Sequence, residues 1–283
     1  MTMRVTIYEV GPRDGLQSLP HVVPVEQRRQ LISSLYNAGL QHVEEVSFVH
    51  PKVLPQMANA EDVYSGRGDA LVLNKRGHER AVAAGVERIN IVLSPCESFC
   101  INNMGRRYDE LVLNYRTFMQ DVPKDKVRVY LSMAFGSPDS GVFDARTLRR
   151  CISDAKMFGD TVVFADTVGV GTANDVWEMS RLAQDYGMRP ALHLHHRGDE
   201  GKPLALVRAG ILAGISEFDA SIGGLGGCPF AKGGGANIAT ESLVRHLHAW
   251  GLETGLDSRA LQSAAALAFT MKHPQPKITE AHC

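Results

Sequence analysis

The chain has 283 residues, of which 44% are hydrophobic and 22% are charged, and this length is close to that of one complete α/β barrel. Its 30 Lys and Arg residues nearly balance 31 Asp and Glu residues, and the net charge of −1 gives no general attraction to nucleic acid or to an anionic membrane. No stretch approaches the roughly 18 consecutive apolar residues that a membrane-spanning helix needs. We therefore expect one domain, residues 1–283, with neither a nucleic-acid nor a membrane partner.

The N-terminal segment and the cysteines bear on the compartment. Residues 1–10 lead directly into a predicted strand, with neither the basic and apolar regions of a secretory signal nor an Arg/Ser-rich presequence. The five cysteines are an odd, scattered set: Cys96, Cys100, Cys151, Cys228 and Cys283. Cys96 and Cys100 are closely spaced, but no second pair completes a tetrahedral zinc site. A cytoplasmic protein with reduced thiols is expected.

Short runs rich in Val, Ile and Leu alternate along the chain with longer amphipathic stretches. This alternation is typical of βα units around a parallel sheet. The predicted strands are residues 4–10, 42–48, 70–73, 88–93, 127–133, 161–165, 191–195 and 217–222. The predicted helices are residues 24–38, 77–84, 108–119, 145–158, 173–185, 202–213, 240–250 and 258–271.

Eight such repeats predict a (β/α)8 TIM barrel with an added C-terminal helical segment. A doubly wound open sheet would produce the same alternation, but the GxGxxG motif expected after its first strand is absent. The tail, residues 273–283, contains two prolines and is expected to be loosely ordered.

Polar residues at the carboxyl ends of the strands indicate a metal site, because reactive groups in such barrels lie there. His193 and His195 are two apart on one strand, so their side chains project from the same face and can bind one ion together. Asp14 and Asn237 reach the same rim from other strand ends. Two imidazoles, a carboxylate and an amide oxygen suit a divalent Mg, Mn or Zn ion acting as a Lewis acid. His196 would point the other way, to the exterior or rim.

Other polar groups fall at the same strand ends. Arg13 lies beside Asp14 in a GPRDG turn, where its guanidinium can neutralise charge growing on a carbonyl oxygen; a surface ion pair is the alternative. Glu44 and Glu45 face opposite sides of the second strand, so only one of them can look into the barrel mouth. Asp166 ends the sixth strand.

A glycine-rich loop follows the eighth strand, with seven glycines among residues 223–237. Such a backbone can fold closely over a ligand or move as a lid, although it can also be a flexible connector. Cys228 in this loop is better placed for proton transfer than for packing, because inert buried thiols normally have apolar neighbours.

Together these motifs resemble the hydroxymethylglutaryl-CoA lyase family, within the DRE-TIM metallolyase superfamily of barrel-type lyases and condensing enzymes. The resemblance runs over nearly the whole length. It is carried by residues 10–17 (VGPRDGLQ), Glu44 with Ser47 and Phe48, residues 55–57 (PQM), 132–138, 166–172 (DTVGVGT), 224–231 (GLGGCPFA) and 237–241 (NIATE).

The resemblance implies a metal-dependent retro-Claisen cleavage of a 3-hydroxyacyl-CoA. The expected substrate is (S)-3-hydroxy-3-methylglutaryl-CoA, giving acetyl-CoA and acetoacetate as in leucine degradation and ketone body metabolism. The expected cofactor is a divalent ion, Mg or Mn in preference to Zn, bound by Asp14, His193, His195 and Asn237. A homodimer or higher homo-oligomer is expected.

The family's roles carry over residue by residue. Arg13 would stabilise the enolate, Cys228 would assist proton transfer, and either His193 or Asp14 would remove the hydroxyl proton. Glu44 and Asp166 match acidic positions that orient ligands or proton-shuttling groups. The expected substrate contacts are Arg13, Gln17, Asn74, Gly226 and Gly227.

Two departures from the family pattern lie at the barrel mouth. The metal-binding strand reads HLHHRG where His-x-His-Asp and then Thr-Tyr-Gly are expected, and the third strand ends LVLN where Thr-Pro would precede the asparagine. A branched hydroxyglutaryl-CoA or citramalyl-CoA is therefore an alternative substrate. Claisen condensation or aldol cleavage, as in sister branches, and a non-catalytic binding protein are further alternatives; the CPFA loop and the retained polar set argue against them.

Overall fold

The computed structural model describes residues 3–227 and 235–274. Cys228 and the tail from residue 275 lie outside the described residues, so the predictions made for them stay predictions. Within the described ranges, eight parallel strands form the sheet: β1 Thr6–Glu9, β2 His42–Ser47, β3 Asp69–Leu71, β4 Ile89–Leu93, β5 Val127–Leu131, β6 Thr161–Asp166, β7 Arg189–His196 and β8 Glu217–Ala220. Each strand pairs with the next, and β8 pairs with β1, which closes the barrel.

Helices surround the barrel in the predicted alternation. They are α1 Val25–Asn37, α2 Ala60–Val63, α3 Lys75–Ala83, α4 Glu97–Met104, α5 Tyr108–Arg116, α6 Ala145–Phe158, α7 Ala173–Asp185, α8 Gly201–Leu212, α9 Thr240–Ala249 and α10 Ser258–Lys272. The predicted TIM barrel and its C-terminal helices are confirmed, and the open-sheet alternative is wrong. Helices α2 and α4 were not predicted, because both are short and lack a clear apolar stripe.

The strands form because their residues are buried on both sides. Every residue of β4, INIVL, is buried, as expected of a parallel strand between a filled barrel and a helical layer. Local signals begin the helices: Asp144 accepts a hydrogen bond from the Thr147 N–H, and Thr172 does the same for the Asp175 N–H. The large apolar core lies between the strands and helices.

The barrel interior is partly polar. An apolar layer of Leu71, Val92, Tyr130, Val163 and Ala191 crosses it. Around this layer the barrel strands bury charged and polar side chains, namely Tyr8, Glu44, Asp69, Asn90, Arg128, His193 and Asp219. Buried charges of this kind need partners, so the interior must contain a hydrogen-bonded network.

A short strand, β9 Ala236–Asn237, pairs antiparallel with the end of β7 and places Asn237 opposite His195. The turn Ile222–Gly224 that begins the glycine loop packs against α10, which also packs on α1. Among the described helices, none has the length and apolar composition required to cross a membrane.

Candidate active site

The GPRDG turn after β1 is a π-helical turn, Gly11–Gly15, in which the Val10 carbonyl accepts hydrogen bonds from the N–H groups of Arg13 at 3.2 Å and Gly15 at 3.1 Å. Such wide turns occur often at functional sites because they redirect side chains. Here the turn buries Arg13 and leaves Asp14 partly exposed at the carboxyl end of the barrel.

Three predicted ligands converge at this end. One potential ligand atom from each of Asp14, His193 and His195 lies within 4.8 Å of the others. The two imidazole rings are 4.7 Å apart between centroids. Asn237, which faces His195 across the β7–β9 pair, donates from Nδ2 to Asp14 Oδ2 at 2.8 Å and to the Leu225 carbonyl at 3.0 Å. Its Oδ1 makes no hydrogen bond to the described residues.

The surroundings select the tautomer of both rings. Nδ1 of His193 lies 3.0 Å from Asp219 Oδ2, and Nδ1 of His195 lies 3.3 Å from the Asp166 carbonyl oxygen. Both partners are acceptors, so each Nδ1 carries the proton and donates it. Nε2 of each ring therefore keeps a free lone pair, which is the arrangement of metal-binding histidines.

Electrostatics favour the metal-binding forms of Asp14 and His195; at His193, burial alone would lower the pKa, but the hydrogen bond to Asp219 and its charge raise it. Burial alone would raise the pKa of Asp14, but Arg13 and the two histidines outweigh it and lower this pKa to about 2. Burial and then the neighbouring His193 lower the pKa of His195 to about 3. An ionised carboxylate and a neutral imidazole are the forms that bind a cation. The donor set therefore fits a divalent metal ion.

Arg13 joins this cluster to the barrel interior. Its guanidinium pairs with Glu44 through Nε and Nη2, and Nη1 donates to Asp14 Oδ1 at 2.9 Å. Burial alone would lower the pKa of Arg13, but the Glu44 and Asp14 carboxylates raise it, so the guanidinium stays charged. A fixed positive charge at the mouth can stabilise a developing oxyanion.

The two adjacent glutamates of β2 face opposite sides, as expected from the pleat. Glu44 faces the interior, where its Oε1 accepts a hydrogen bond from Asn90 at 2.7 Å. Glu45 faces outward and accepts hydrogen bonds from Tyr36 and Ser65. Burial raises the pKa of Glu44 even though Arg13 opposes this change.

The remaining predicted site residues have different positions. The Asp166 carboxylate accepts from the N–H groups of Val170 at 2.8 Å and Gly171 at 2.9 Å, so it holds the turn after β6. Gln17 donates to Asp14 Oδ1 at 2.9 Å and lines the cavity described below. Asn74 instead caps α3, where its side chain accepts from the Gly77 N–H at 2.9 Å. Asn74 is not among the described residues that line this cavity.

The glycine loop approaches the cluster closely. A Cβ atom on Gly226 would lie less than 3.0 Å from Asn237 Nδ2, and Gly226 has a φ of +110°. Gly227, with a φ of +155°, is the last described residue before the gap at 228–234. His196 points to the other face of β7, where its Nε2 lies 3.8 Å from a Glu200 oxygen.

A cavity lined by Asp14, His193 and His195 opens at this end of the barrel. Its lining is partly polar and partly apolar. The apolar lining residues are Val49, Val53, Leu54, Leu71, Leu73, Val92, Phe99 and Ala165. Polar lining residues that were not predicted from the sequence are Ser47, Asn103, Tyr130, Ser132 and Thr167.

The family model described as HMGL-like matches residues 4–268. The chain belongs to the HMGL-like family. A mitochondrial hydroxymethylglutaryl-CoA lyase from Arabidopsis thaliana is 36% identical over 279 residues, covering 95% of this chain and 59% of the plant protein. The 3-hydroxy-3-isohexenylglutaryl-CoA/hydroxy-methylglutaryl-CoA lyase of Pseudomonas aeruginosa is 33% identical over 271 residues, covering 92% of this chain and 90% of the relative. The (R)-citramalyl-CoA lyase of Chloroflexus aurantiacus is 33% identical over 297 residues, covering 97% and 93%.

Solved structures agree with this family membership. The HMG-CoA lyase of Brucella melitensis superposes with a TM-score of 0.88 at 31% identity, covering 95% of this chain and 99% of that structure. An HMG-CoA lyase from Acinetobacter baumannii, solved with coenzyme A and 3-methylmalate, superposes with a TM-score of 0.87 at 28% identity, covering 99% and 97%. The family predicted from the sequence, a carbon–carbon lyase family, is therefore confirmed.

Proposed function

We propose that this chain is a divalent-metal-dependent lyase that cleaves (S)-3-hydroxy-3-methylglutaryl-CoA to acetyl-CoA and acetoacetate. The observation that carries the proposal is the convergence of Asp14, His193 and His195 beside the buried, charged Arg13. Relatives named as hydroxymethylglutaryl-CoA lyases support the reaction, and the coenzyme A complex of the Acinetobacter enzyme supports an acyl-CoA substrate.

Asp14, His193, His195 and the Oδ1 atom of Asn237 are the proposed metal ligands. A divalent cation there would supply Lewis-acid chemistry, lowering the pKa of the substrate's hydroxyl group and fixing its orientation. Mg or Mn is the proposed ion, because carboxylate and amide oxygens with open coordination positions suit these metals.

The chain's own residues move the protons and stabilise charge. Asp14 takes the proton of the C3 hydroxyl, because His193 already carries a proton on Nδ1 and would use Nε2 for the metal. The C2–C3 bond then breaks, C3 becomes the ketone of acetoacetate, and the bonding pair enters the thioester as an enolate. Arg13 stabilises that enolate oxygen. Protonation of C2 completes acetyl-CoA, and Cys228 is the residue proposed to assist this step.

A related 3-hydroxy-dicarboxyl-CoA is the second candidate. Apolar side chains among the cavity's lining residues suit an apolar C3 substituent, and one of them, Leu73, lies in one of the two segments that depart from the family pattern. Cleavage rates for a panel of thioesters with methyl and longer C3 substituents, and for citramalyl-CoA, would rank these substrates. Faster cleavage of pyruvate-derived aldols than of every thioester would contradict a CoA lyase.

Replacing one metal-ligating side chain should abolish both metal binding and catalytic turnover. We expect Asp14→Asn and His195→Ala to lose bound metal and acetyl-CoA release, because each takes away a donor that the others cannot replace. Cys228→Ala is the matched variant: it should still bind the metal but release acetyl-CoA more slowly. The measurements are metal content and acetyl-CoA release. A wild-type protein that binds no ion and cleaves no hydroxyacyl-CoA would support the binding-protein alternative.

A further inference from the structure

A buried group of side chains behind the ligand cluster has no role in the proposed reaction. Asp219 on β8 accepts hydrogen bonds at both oxygens: Oδ1 from Arg128 Nη2 at 2.7 Å, and Oδ2 from Tyr130 OH at 2.6 Å and His193 Nδ1 at 3.0 Å. Arg128 also donates to Glu217 at 2.8 Å. Asp219 and Arg128 are both 3% exposed, so solvent cannot replace these partners.

We propose that Asp219, oriented by Arg128, is a positioning residue that fixes the tautomer of His193 and thereby sets the metal affinity of the site. The inference rests on the proposed metal-dependent function. A carboxylate at this position can only accept, so His193 must donate from Nδ1 and present the bare Nε2 to the cluster. Partners of this kind typically change metal affinity by about 10- to 100-fold.

Arg128 determines which atom of residue 219 faces His193. Its guanidinium lies 3.4 Å from the centroid of the Tyr8 ring and is paired with Glu217, so it is held on several sides. Arginine has no acceptor, and the atom of residue 219 that faces Arg128 must therefore be an oxygen.

This requirement makes the isosteric variant Asp219→Asn informative. Its amide oxygen must face Arg128, which leaves the NH2 group facing His193 Nδ1. That group would donate to Nδ1 and move the ring proton to Nε2, the atom that points at Asp14 and His195. A wrong tautomer with unchanged geometry is a known way to disable a catalytic histidine.

Glu217 offers a matched control. It pairs with the same guanidinium at 2.7 Å, but among the described contacts it has none with His193. Glu217→Gln removes a comparable charge from Arg128 without presenting a donor to His193. A merely structural role of the Arg128 network would make both variants behave alike.

The test uses the full-length, metal-free protein with ¹⁵N-labelled histidine, at a pH where His193 is neutral. Long-range ¹H–¹⁵N spectra should show Nδ1–H in the wild type and in Glu217→Gln, and Nε2–H in Asp219→Asn. Titration with Mn²⁺, followed by electron paramagnetic resonance, should show affinity reduced about 10- to 100-fold in Asp219→Asn alone. Thermal midpoints of the three proteins establish that each is folded.

The outcomes separate this inference from the proposed function. Nε2–H in the wild type overturns the inference without any variant, so the test does not depend on the folding of Asp219→Asn. An Asp219→Asn protein with wild-type tautomer and wild-type Mn²⁺ affinity also overturns it. A wild type that shows Nδ1–H but binds no Mn²⁺ instead contradicts the proposed function and the affinity half of the inference.

Discussion

Arg13 has two roles, one in stability and one in catalysis, and substitutions can separate them. It neutralises the buried Glu44 carboxylate, and it presents positive charge beside Asp14 at the cavity. The first role contributes to stability, because removing one partner of a buried ion pair leaves an uncompensated charge at a cost of about 3–5 kcal/mol. The second role belongs to the transition state, in which the enolate forms.

We predict that Arg13→Met lowers kcat by about 100- to 1000-fold while KM changes little, since the charge is needed mainly as the enolate develops. The single variant should also have a lower thermal midpoint. Arg13→Met/Glu44→Gln should recover most of the lost stability but not the lost turnover. Steady-state kinetics and thermal unfolding of both variants give the answer, and a single variant as active as wild type would refute the proposed role.

At the scale of elements, the beginning of the glycine loop is an integral part of the ligand cluster. Gly226 packs against the Asn237 amide and lies next to Asp14, where a Cβ atom would be 3.4 Å from Oδ2. The loop can approach this closely only without a side chain. The loop and β9 therefore hold the amide in place.

We predict that Gly226→Ala displaces Asn237 and weakens Mn²⁺ binding by at least about tenfold, as expected when a ligand or its support moves. Gly251→Ala is the matched control. Gly251 also has a positive φ, of +77°, but in the described part of the chain no atom lies within 4 Å of its would-be Cβ. Both variants place a Cβ atom on a backbone with positive φ, so equal Mn²⁺ affinity in the two would show that close packing at Gly226 is unimportant.

At the scale of the whole molecule, Glu9 accepts hydrogen bonds from three segments that meet at the site. Its Oε1 accepts from the N–H groups of Gly11 at 2.7 Å and Ile222 at 2.9 Å, and its Oε2 accepts from the Thr240 hydroxyl at 2.6 Å. These contacts join the GPRDG turn, the start of the glycine loop and the start of α9. Burial raises the pKa of Glu9 to about 7, with nearby Glu241 adding to the shift and the three hydrogen bonds opposing it.

Because the folded-state pKa of Glu9 lies above its unfolded value, folding favours the protonated form. Its contribution to stability is therefore fully present below the unfolded pKa of 4.5 and is lost as the pH rises through about 7. The change is roughly 3 kcal/mol at most, from about 1.4 kcal/mol per pKa unit. We predict that Glu9→Gln has a higher midpoint of thermal unfolding than the wild type at pH 8, but not at pH 5. Parallel curves of midpoint against pH for the two proteins would contradict this.

Local patterns in the sequence were sufficient to predict the barrel. Each strand and most helices are recognisable from their own apolar periodicity and glycine stops, and the pleat alone places His193 and His195 on one face. The same argument applied to Arg128 with Tyr130, and to Glu217 with Asp219, would have found the polar interior. The helix α4, which brings Asn103 to the cavity, has no comparable periodic signal.

Closure of the barrel determined which side chains face the interior and which of them meet. Which of Glu44 and Glu45 looks inward depends on how the strands tilt around the axis, and no local pattern contains that tilt. Arg128 meets Asp219 across 91 residues of chain only because β5 and β8 face each other inside the barrel. Asn74 shows the reverse, since its side chain makes a local helix-capping hydrogen bond and does not line the cavity. The sequence by itself determined the elements and the reactive groups; the tertiary structure decided which groups meet, because those contacts join distant strands.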